Sequence, residues 1–385
     1  MENKNKLSDE NIFLLKVTSI SQIENKKIIE NLIKKKLDWS YLLNKSLRFG
    51  VSPFFYKNLN YLKKYIPNNI FSKFKLSYLH SFSSNLKRYN DALPFLKELN
   101  EKNIPAILLK GGALAEIIYK DIALRMMTDI DILIEKNQIQ EAEEILKNLG
   151  FKQITIYESS LAKELKLHHQ ISYKKNNTII ELHWDILSSH HKFNVNISEF
   201  IKNSKRIFIQ KVPCFIFSVE NLLQHLCIHL DHHINVNEFR LSWLLDIAEI
   251  VKFYKNEINW DYLKKNSIEN RIEKPIFENL FLAKKYFNSY TPDNFFSNFE
   301  SEKSNFENNF LFFLDNSNRK LIVKNNLSYY KKIKNIKSLK NKLKYIFEIS
   351  FPGGNFLKKK YKFKKKKFLI YYNFLHILEK AKKIL

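Results

Sequence analysis

The sequence predicts an α+β protein: a small mixed β-sheet flanked by helices, with helical modules on its N-terminal and C-terminal sides. Three observations predict it. Residues 8–100 carry apolar side chains at helical spacing almost throughout. From about 103 to 217, short apolar runs of strand length alternate with helical segments. From 219 to 290 the helical spacing returns and leads into a basic tail. The chain accordingly divides into a helical N-terminal module (1–100), a sheet-bearing core (101–217), a second helical module (218–318) and a basic helical C-terminal segment (319–385). No internal repeat stands out.

Each element has a local reason. In the first module the helical spacing is explicit in Ile12-Phe-Leu-Leu15, Trp39-Ser-Tyr-Leu-Leu43 and Leu93-Pro-Phe-Leu-Lys-Glu-Leu99, with turn signals from Gly50 to Pro53 and at Pro67-Asn-Asn. The core opens with Ile104-Pro-Ala-Ile-Leu-Leu109, a buried strand, followed by Gly111-Gly112, where backbone can approach a phosphate closely. Ala113 to Tyr119 reads as a helix whose free N-terminal N–H groups face an anion. Ile130, Ile132 and Ile134 then alternate with Asp129, Asp131 and Leu133, which predicts a strand with both carboxylates on one side at its start. Asn137 is placed to cap a helix over 138–149 that Gly150 ends, and strands are expected near 151–157, 171–175, 178–186 and 205–217. Ser218 is placed to cap a helix running from Val219 to Leu230.

Composition sets the bounds. With 385 residues, 45% of them hydrophobic, the chain can bury a substantial core in two or three packed modules. Two cysteines, Cys214 and Cys227, make neither a disulfide framework nor a zinc pattern, which fits a reducing compartment. No segment reaches the roughly 18 uninterrupted apolar residues of a membrane span, and the N-terminus has no signal-like apolar run, so a cytoplasmic location is expected. The formal net charge is +26, and Arg319 to Leu385 supply 19 of it, because 21 Lys or Arg there face only Glu348 and Glu379. Lysines interleaved with Tyr361, Phe363 and Phe368 suit nucleic-acid phosphates and base stacking, and equally an anionic membrane surface. The same abundance of Lys, Asn, Ile and Phe also follows from AT-rich coding. Charge of this kind speaks to association rather than to fold.

The chemistry rests on carboxylates. Two strand rises place Asp129 and Asp131 about 6 to 7 Å apart, the separation a two-metal nucleotidyl or phosphoryl transfer centre needs. A third acid is available in Thr178-Ile-Ile-Glu181-Leu-His183-Trp184, where Glu181 shares a face with Ile179 and His183. Read alone, Asp-x-Asp is also an ordinary solvated strand start, and Glu181 an exposed strand residue. Arg125, four residues before Asp129, either reaches a triphosphate or anchors its loop in an ion pair. Asp246, inside Trp243-Leu-Leu-Asp-Ile-Ala, is hard to bury unpaired; it caps a neighbouring element or takes a cation such as Arg240. Nine of the eleven histidines fall between His168 and His233, with His225 and His229 at helical i, i+4 spacing. That spacing can bind zinc, yet no Glu lies between them as in His-Glu-x-x-His, and the doublets 168–169, 190–191 and 232–233 follow no ligand spacing. Helix packing, or contact with a phosphate or acceptor, explains them better, and His183 is the histidine best placed to support Glu181.

These blocks resemble the nucleotidyltransferase superfamily of the DNA polymerase beta type, and within it the bacterial family of uncharacterised nucleotidyltransferases. The resemblance lies in Leu109-Lys110-Gly111-Gly112, Tyr119, Arg125, Asp129-Ile-Asp131-Ile-Leu-Ile, Gly150-Phe151, Glu181-Leu-His183-Trp184, His225-Leu-Cys-Ile-His229 and Trp243-Leu-Leu-Asp246-Ile. It extends upstream to Asp38-Trp39-Ser-Tyr-Leu-Leu and Val51-Ser-Pro-Phe-Phe-Tyr56, covering most of 35–255. It implies that Gly111 and Gly112 line a nucleoside triphosphate, that Asp129 and Asp131 bind Mg2+ or Mn2+, and that Glu181 is the third carboxylate. The superfamily turn commonly has Ser after its first Gly; Gly112 stands there, so Lys110 and Arg125 are assigned the phosphate charge. The implied activity moves a nucleoside monophosphate to an acceptor hydroxyl and releases pyrophosphate. The acceptor stays open among a small molecule, a peptide, a saccharide and RNA. Two other readings stay open beside it: a non-catalytic adaptor that holds RNA or an anionic membrane through 319–385, and a phosphotransferase acting on a peptide or saccharide.

Overall fold

The computed structural model describes residues 7–154, 169–187, 193–235, 238–297 and 303–315, together with 372 and 375. Its centre is a mixed sheet of seven short strands: β1 (Ile107–Leu109), β2 (Ile130–Leu133), β3 (Lys152–Gln153), β4 (Gln170–Lys175), β5 (Thr178–His183), β6 (Lys205–Ile209) and β7 (Val212–Ile216). Their order is β3-β4-β5-β2-β1-β7-β6, with β2 beside β5 and β1 beside β7 parallel and every other pair antiparallel. β1 and β2 are buried at every residue, as expected of strands covered on both faces. The α+β class expected from the sequence is the class observed.

Helices α1 (Asp9–Val17), α2 (Lys26–Leu32), α3 (Trp39–Arg48) and α4 (Ser52–Leu59) precede the 34-residue α5 (Asn68–Glu101). Ser8 and Asp38 accept backbone N–H bonds as side-chain caps of α1 and α3, and Pro53 opens α4 where a missing N–H costs nothing. Between the strands lie α6 (Gly111–Ile117), α7 (Ile139–Asn148) and α8 (Ile197–Lys202). After the sheet come α9 (Val219–Asn235), α10 (Leu241–Phe253), α11 (Trp260–Glu269), α12 (Glu273–Phe287) and α13 (Lys303–Asp315). Elements distant in sequence interlock: Asn11 of α1 donates to Asp315 of α13 at 2.7 Å, and Ser19, just after α1, donates to Glu249 of α10 at 3.2 Å. One apolar core therefore runs from Phe13 through the sheet to Leu314. No helix among the described residues is long and apolar enough to cross a membrane.

Three local expectations are corrected. The run 205–217 is a hairpin rather than one strand, turned at Gln210 and Lys211 with φ of 46° and 71°. Neither residue announces a turn that needs two positive φ angles, and the turn is instead supported by the Gln210 N–H donating to Glu116 at 3.2 Å. Asn137 lies inside a 3₁₀ turn (Lys136–Gln138) and does not cap α7, which starts at Ile139 without a side-chain cap. Of the strand expected at 151–157, only Lys152–Gln153 among the described residues pair as β3, and 155–157 lie outside them. Elsewhere Gly150 ends α7 at φ +85°, Asn176-Asn177 turn the β4–β5 hairpin, and the Ser218 hydroxyl accepts the Asn221 N–H at 3.4 Å.

Candidate active site

The site is assembled by strand register. Leu109 on β1, Asp131 on β2 and Glu181 on β5 are level with one another across three adjacent strands. Neighbouring strands lie about 4.8 Å apart, so side chains from level positions on one face necessarily meet. His183, two residues beyond Glu181, returns to the same face, and its Nε2 lies 2.9 Å from Asp131 Oδ1 and 3.7 Å from Glu181 Oε2. Lys110 follows β1 directly and donates to the same Asp131 oxygen at 2.7 Å. Its backbone has φ 48° and ψ −133°, a conformation that glycine adopts far more readily, and that bend turns the ammonium back over the strand ends. Glu181 is held on its other side by Gln170 Nε2 at 2.7 Å and the Ser172 hydroxyl at 3.2 Å. Both come from β4, and sequence spacing gave no signal of them.

Asp131, Glu181 and His183 each offer a ligand atom, and the three atoms lie within 4.8 Å of one another. Asp129 stands outside this trio, just before β2, where its carboxylate accepts the Thr128 hydroxyl at 3.1 Å. The electrostatics separate the two aspartates. Burial works against the Asp131 carboxylate, but Lys110 and His183 outweigh it and hold its pKa well below the usual carboxylate range. Burial, with the charges of Asp131 and Glu181 added, pushes Asp129 up to about 6. Lys110 and His183 are both raised: burial opposes their charged forms, and the carboxylates they touch prevail.

The glycines have a packing reason of their own. A Cβ on Gly111 would sit 2.9 Å from Met127 Cγ, and one on Gly112 would sit 3.4 Å from Ile130 Cγ2, so α6 lies against the start of β2 at contact distance. Tyr89 of α5 also donates to the Gly112 carbonyl at 2.9 Å. Arg125 points elsewhere. Its guanidinium pairs with the buried Asp246 of α10 at 2.7 Å, and Tyr119 completes the cluster by donating to Asp246 at 2.7 Å. The cation on Asp246 is thus Arg125 and not Arg240, whose guanidinium lies over the Trp243 ring. Of the two readings of Arg125, the loop anchor is the one its contacts express. His225, His229 and His233 form a packed row with Trp243, and burial followed by the charge of Lys110 pushes His225 down to about 3. His168, His190, His191 and the basic segment from 319 lie outside the described residues, save 372 and 375.

Asp131 and Glu181 thus stand level on parallel strands, with the half-buried Lys110 before the Gly111-Gly112 turn paired to Asp131. The family model described as uncharacterised nucleotidyltransferase matches residues 35–288, most of the chain. The chain belongs to this nucleotidyltransferase family. Among solved structures, the chain is similar to the antibiotic-resistance factor ANT(2'')-Ia, at 12% identity and a TM-score of 0.36 over 51% of this chain and 98% of that one. It is also similar to an antigenic nucleotidyltransferase-like protein from Paracoccidioides brasiliensis, at 14% identity and a TM-score of 0.30 over 54% and 96% of the two chains. No curated protein matches it.

The structure adds residues around this site that the motifs do not contain, and most come from α5. Asn85 is fully buried and donates to the carbonyls of Ile122 and Arg125 at 2.6 and 2.8 Å, pinning the loop that leads into Asp129. One turn on, Arg88 donates to the Thr128 carbonyl at 3.3 Å. A signal was present: Ser77, Ser81, Asn85 and Tyr89, spaced four apart, form a polar stripe on the buried face of the helix.

Proposed function

We propose that this chain transfers a nucleoside monophosphate from a nucleoside triphosphate to an acceptor hydroxyl, releasing pyrophosphate, with a divalent cation bound at Asp131, Glu181 and His183. The convergence of those three side chains beside Asp129 carries the reading. They fit the ion. Two carboxylates suit Mg2+, and the imidazole makes Mn2+ at least as welcome. Burial first, and then repulsion from Asp131 and Glu181, raises Asp129, and a divalent charge among the carboxylates relieves that repulsion. An ion held by these three side chains would supply Lewis-acid stabilisation of the charge that develops at the α-phosphate.

The chain's own groups do the rest. The N–H groups at the start of α6 and the Lys110 ammonium receive the triphosphate, which draws on the positive end of the helix. Glu181, fixed by Gln170 and Ser172, is oriented to take the proton of the acceptor hydroxyl as its oxygen attacks the α-phosphorus. The bond from that phosphorus to the β-phosphate oxygen breaks, and pyrophosphate departs in line. Arg125, clamped on Asp246, fixes the loop that delivers Asp129.

Label transfer tests this. The protein is incubated with Mg2+ or Mn2+, each of the four nucleoside triphosphates labelled at the α or γ position, and a fractionated cell extract. Asp131→Asn is expected to lower transfer of α label at least about 100-fold with its fold intact by circular dichroism. Label moving only from the γ position would instead identify a phosphotransferase. With neither label transferred and RNA or anionic vesicles bound only while 319–385 is present, the adaptor reading, favoured by the charge of that segment, would replace this one.

A further inference from the structure

Arg125 was the guanidinium that sequence proximity offered to a triphosphate, and its donors are spent on Asp246 and the Met126 carbonyl. A second guanidinium stands beside the same centre. Arg88 lies on α5, 41 positions before Asp129, and is half-buried. Its Nε donates to the Thr128 carbonyl at 3.3 Å and its Nη1 to Asn85 Oδ1 at 3.4 Å, both long for bonds from a charged donor. Among the described residues no carboxylate lies within ion-pair distance of it, and Nη2 has no protein acceptor. A guanidinium that gives up part of its hydration without an anionic partner is held at a cost, and a bound anion removes that cost.

The surroundings say which anion. Arg88 is anchored to Thr128, whose hydroxyl donates to Asp129, so the guanidinium borders the carboxylate centre at Asp129, whereas Lys110 contacts Asp131. Asp129 is the charged group that acts on Arg88 through space. Asn85 fixes both partners at once, since it binds the 122–125 backbone and accepts from Arg88. Cations at two members of a carboxylate cluster, Lys110 at Asp131 and Arg88 near Asp129, suit a ligand with several negative charges, and a planar fork suits phosphate oxygens.

We propose that Arg88 binds the polyphosphate of the nucleotide donor and selects triphosphates over less charged nucleotides. The inference rests on the nucleotidyltransferase reading. The charge on Arg88 does not position the loop, which Asn85 and the Arg125–Asp246 pair already hold, so its loss is felt in donor binding.

The test compares the parent with Arg88→Gln, which keeps a donor toward Thr128 and loses the charge, and with Arg88→Lys, which keeps the charge and loses the fork. Binding of each of the four nucleoside triphosphates, the matching monophosphates and inorganic tripolyphosphate is measured in Mn2+ by calorimetry, and thermal denaturation confirms folding. Arg88→Gln is expected to weaken triphosphate and tripolyphosphate binding about 10- to 100-fold, and monophosphate binding far less. Arg88→Lys falls between Arg88→Gln and the parent. In label transfer, Arg88→Gln raises KM for the donor more than it lowers kcat. Triphosphate binding by Arg88→Gln within twofold of the parent, or equal losses for mono- and triphosphate, overturns the inference alone. A parent that binds neither the nucleoside triphosphates nor tripolyphosphate overturns the nucleotidyltransferase reading and this inference with it.

Discussion

At the scale of single residues, Lys45 shows how little sequence spacing says about a charged side chain. It sits in α3 among polar neighbours, where a solvated lysine is the ordinary expectation, yet it is 1% exposed and its Nζ has no hydrogen-bond partner. The rings of Tyr41 and Phe49 lie 4.8 and 5.6 Å from the ammonium. Burial pulls its pKa down to about 8, and Asp315 offsets only part of that. Between pH 8 and the ordinary lysine value near 10.4 the unfolded chain binds the proton and the folded chain does not, so this residue's contribution to stability rises with pH across that window. Below pH 8 the charged form is buried at a cost. Lys45→Met should therefore stabilise the protein at pH 7 by about 1–2 kcal/mol, a figure kept low because water reaches the neighbouring exposed Asp315. The gain should fade as pH approaches 10, and urea titrations at pH 7 and pH 10 would read the difference. The carboxylates Asp129, Asp131 and Glu181 were legible because their spacing has a chemical meaning; Lys45 and Arg88 were not, because their environment is made by residues distant in sequence.

At the scale of elements, the turn from β1 into α6 joins two requirements. The backbone of Lys110 bends through a positive φ, and α6 then lies so close to Met127 that residue 111 can carry no side chain without a shift. Gly111→Ala is expected to lower stability by about 1–3 kcal/mol through overpacking. Pairing it with Met127→Ala should recover much of that loss, since the flexible thioether is what the new methyl meets. Thermal melts of the two single variants and the double variant check it, and additive losses would disprove the contact as the cause. The Gly-Gly pair was visible in the sequence as a phosphate turn, while its packing role was not, because Met127 arrives from 16 residues downstream. Strands fared in the same way. β2 and β5 were legible from alternation and from Asn176-Asn177, whereas the β6–β7 turn at Gln210-Lys211 depends on Glu116 of another element.

At the scale of the whole molecule, the modules read from composition are tied together through charges that pair across them. Asp246 of α10, Arg125 of the loop before β2 and Tyr119, just after α6, form a buried triad joining the C-terminal helices to the sheet. Removing one member leaves an uncompensated charge in the interior, so Asp246→Ala should cost about 3–5 kcal/mol. Asp246→Ala with Arg125→Met should cost less than Asp246→Ala alone, and a double-mutant cycle on urea midpoints would measure that coupling. The order of helical and sheet regions was readable from periodicity alone. Their interlocking was not, since pairs such as Asn11 with Asp315 join residues 304 positions apart, and no local pattern records such a distance.

The alignment of Asp131 with Glu181 between β2 and β5 has a further meaning for folding itself. Side chains alternate across a strand, so a slip of one residue between these two strands would send one carboxylate to the opposite face. A misregistered chain could keep its helices and most of its apolar core and still be chemically blind. Because the ligand trio exists only in the correct pairing, any cation or nucleotide that engages it favours that pairing over its neighbours. The substrate of this protein would then act as a proofreader of its sheet.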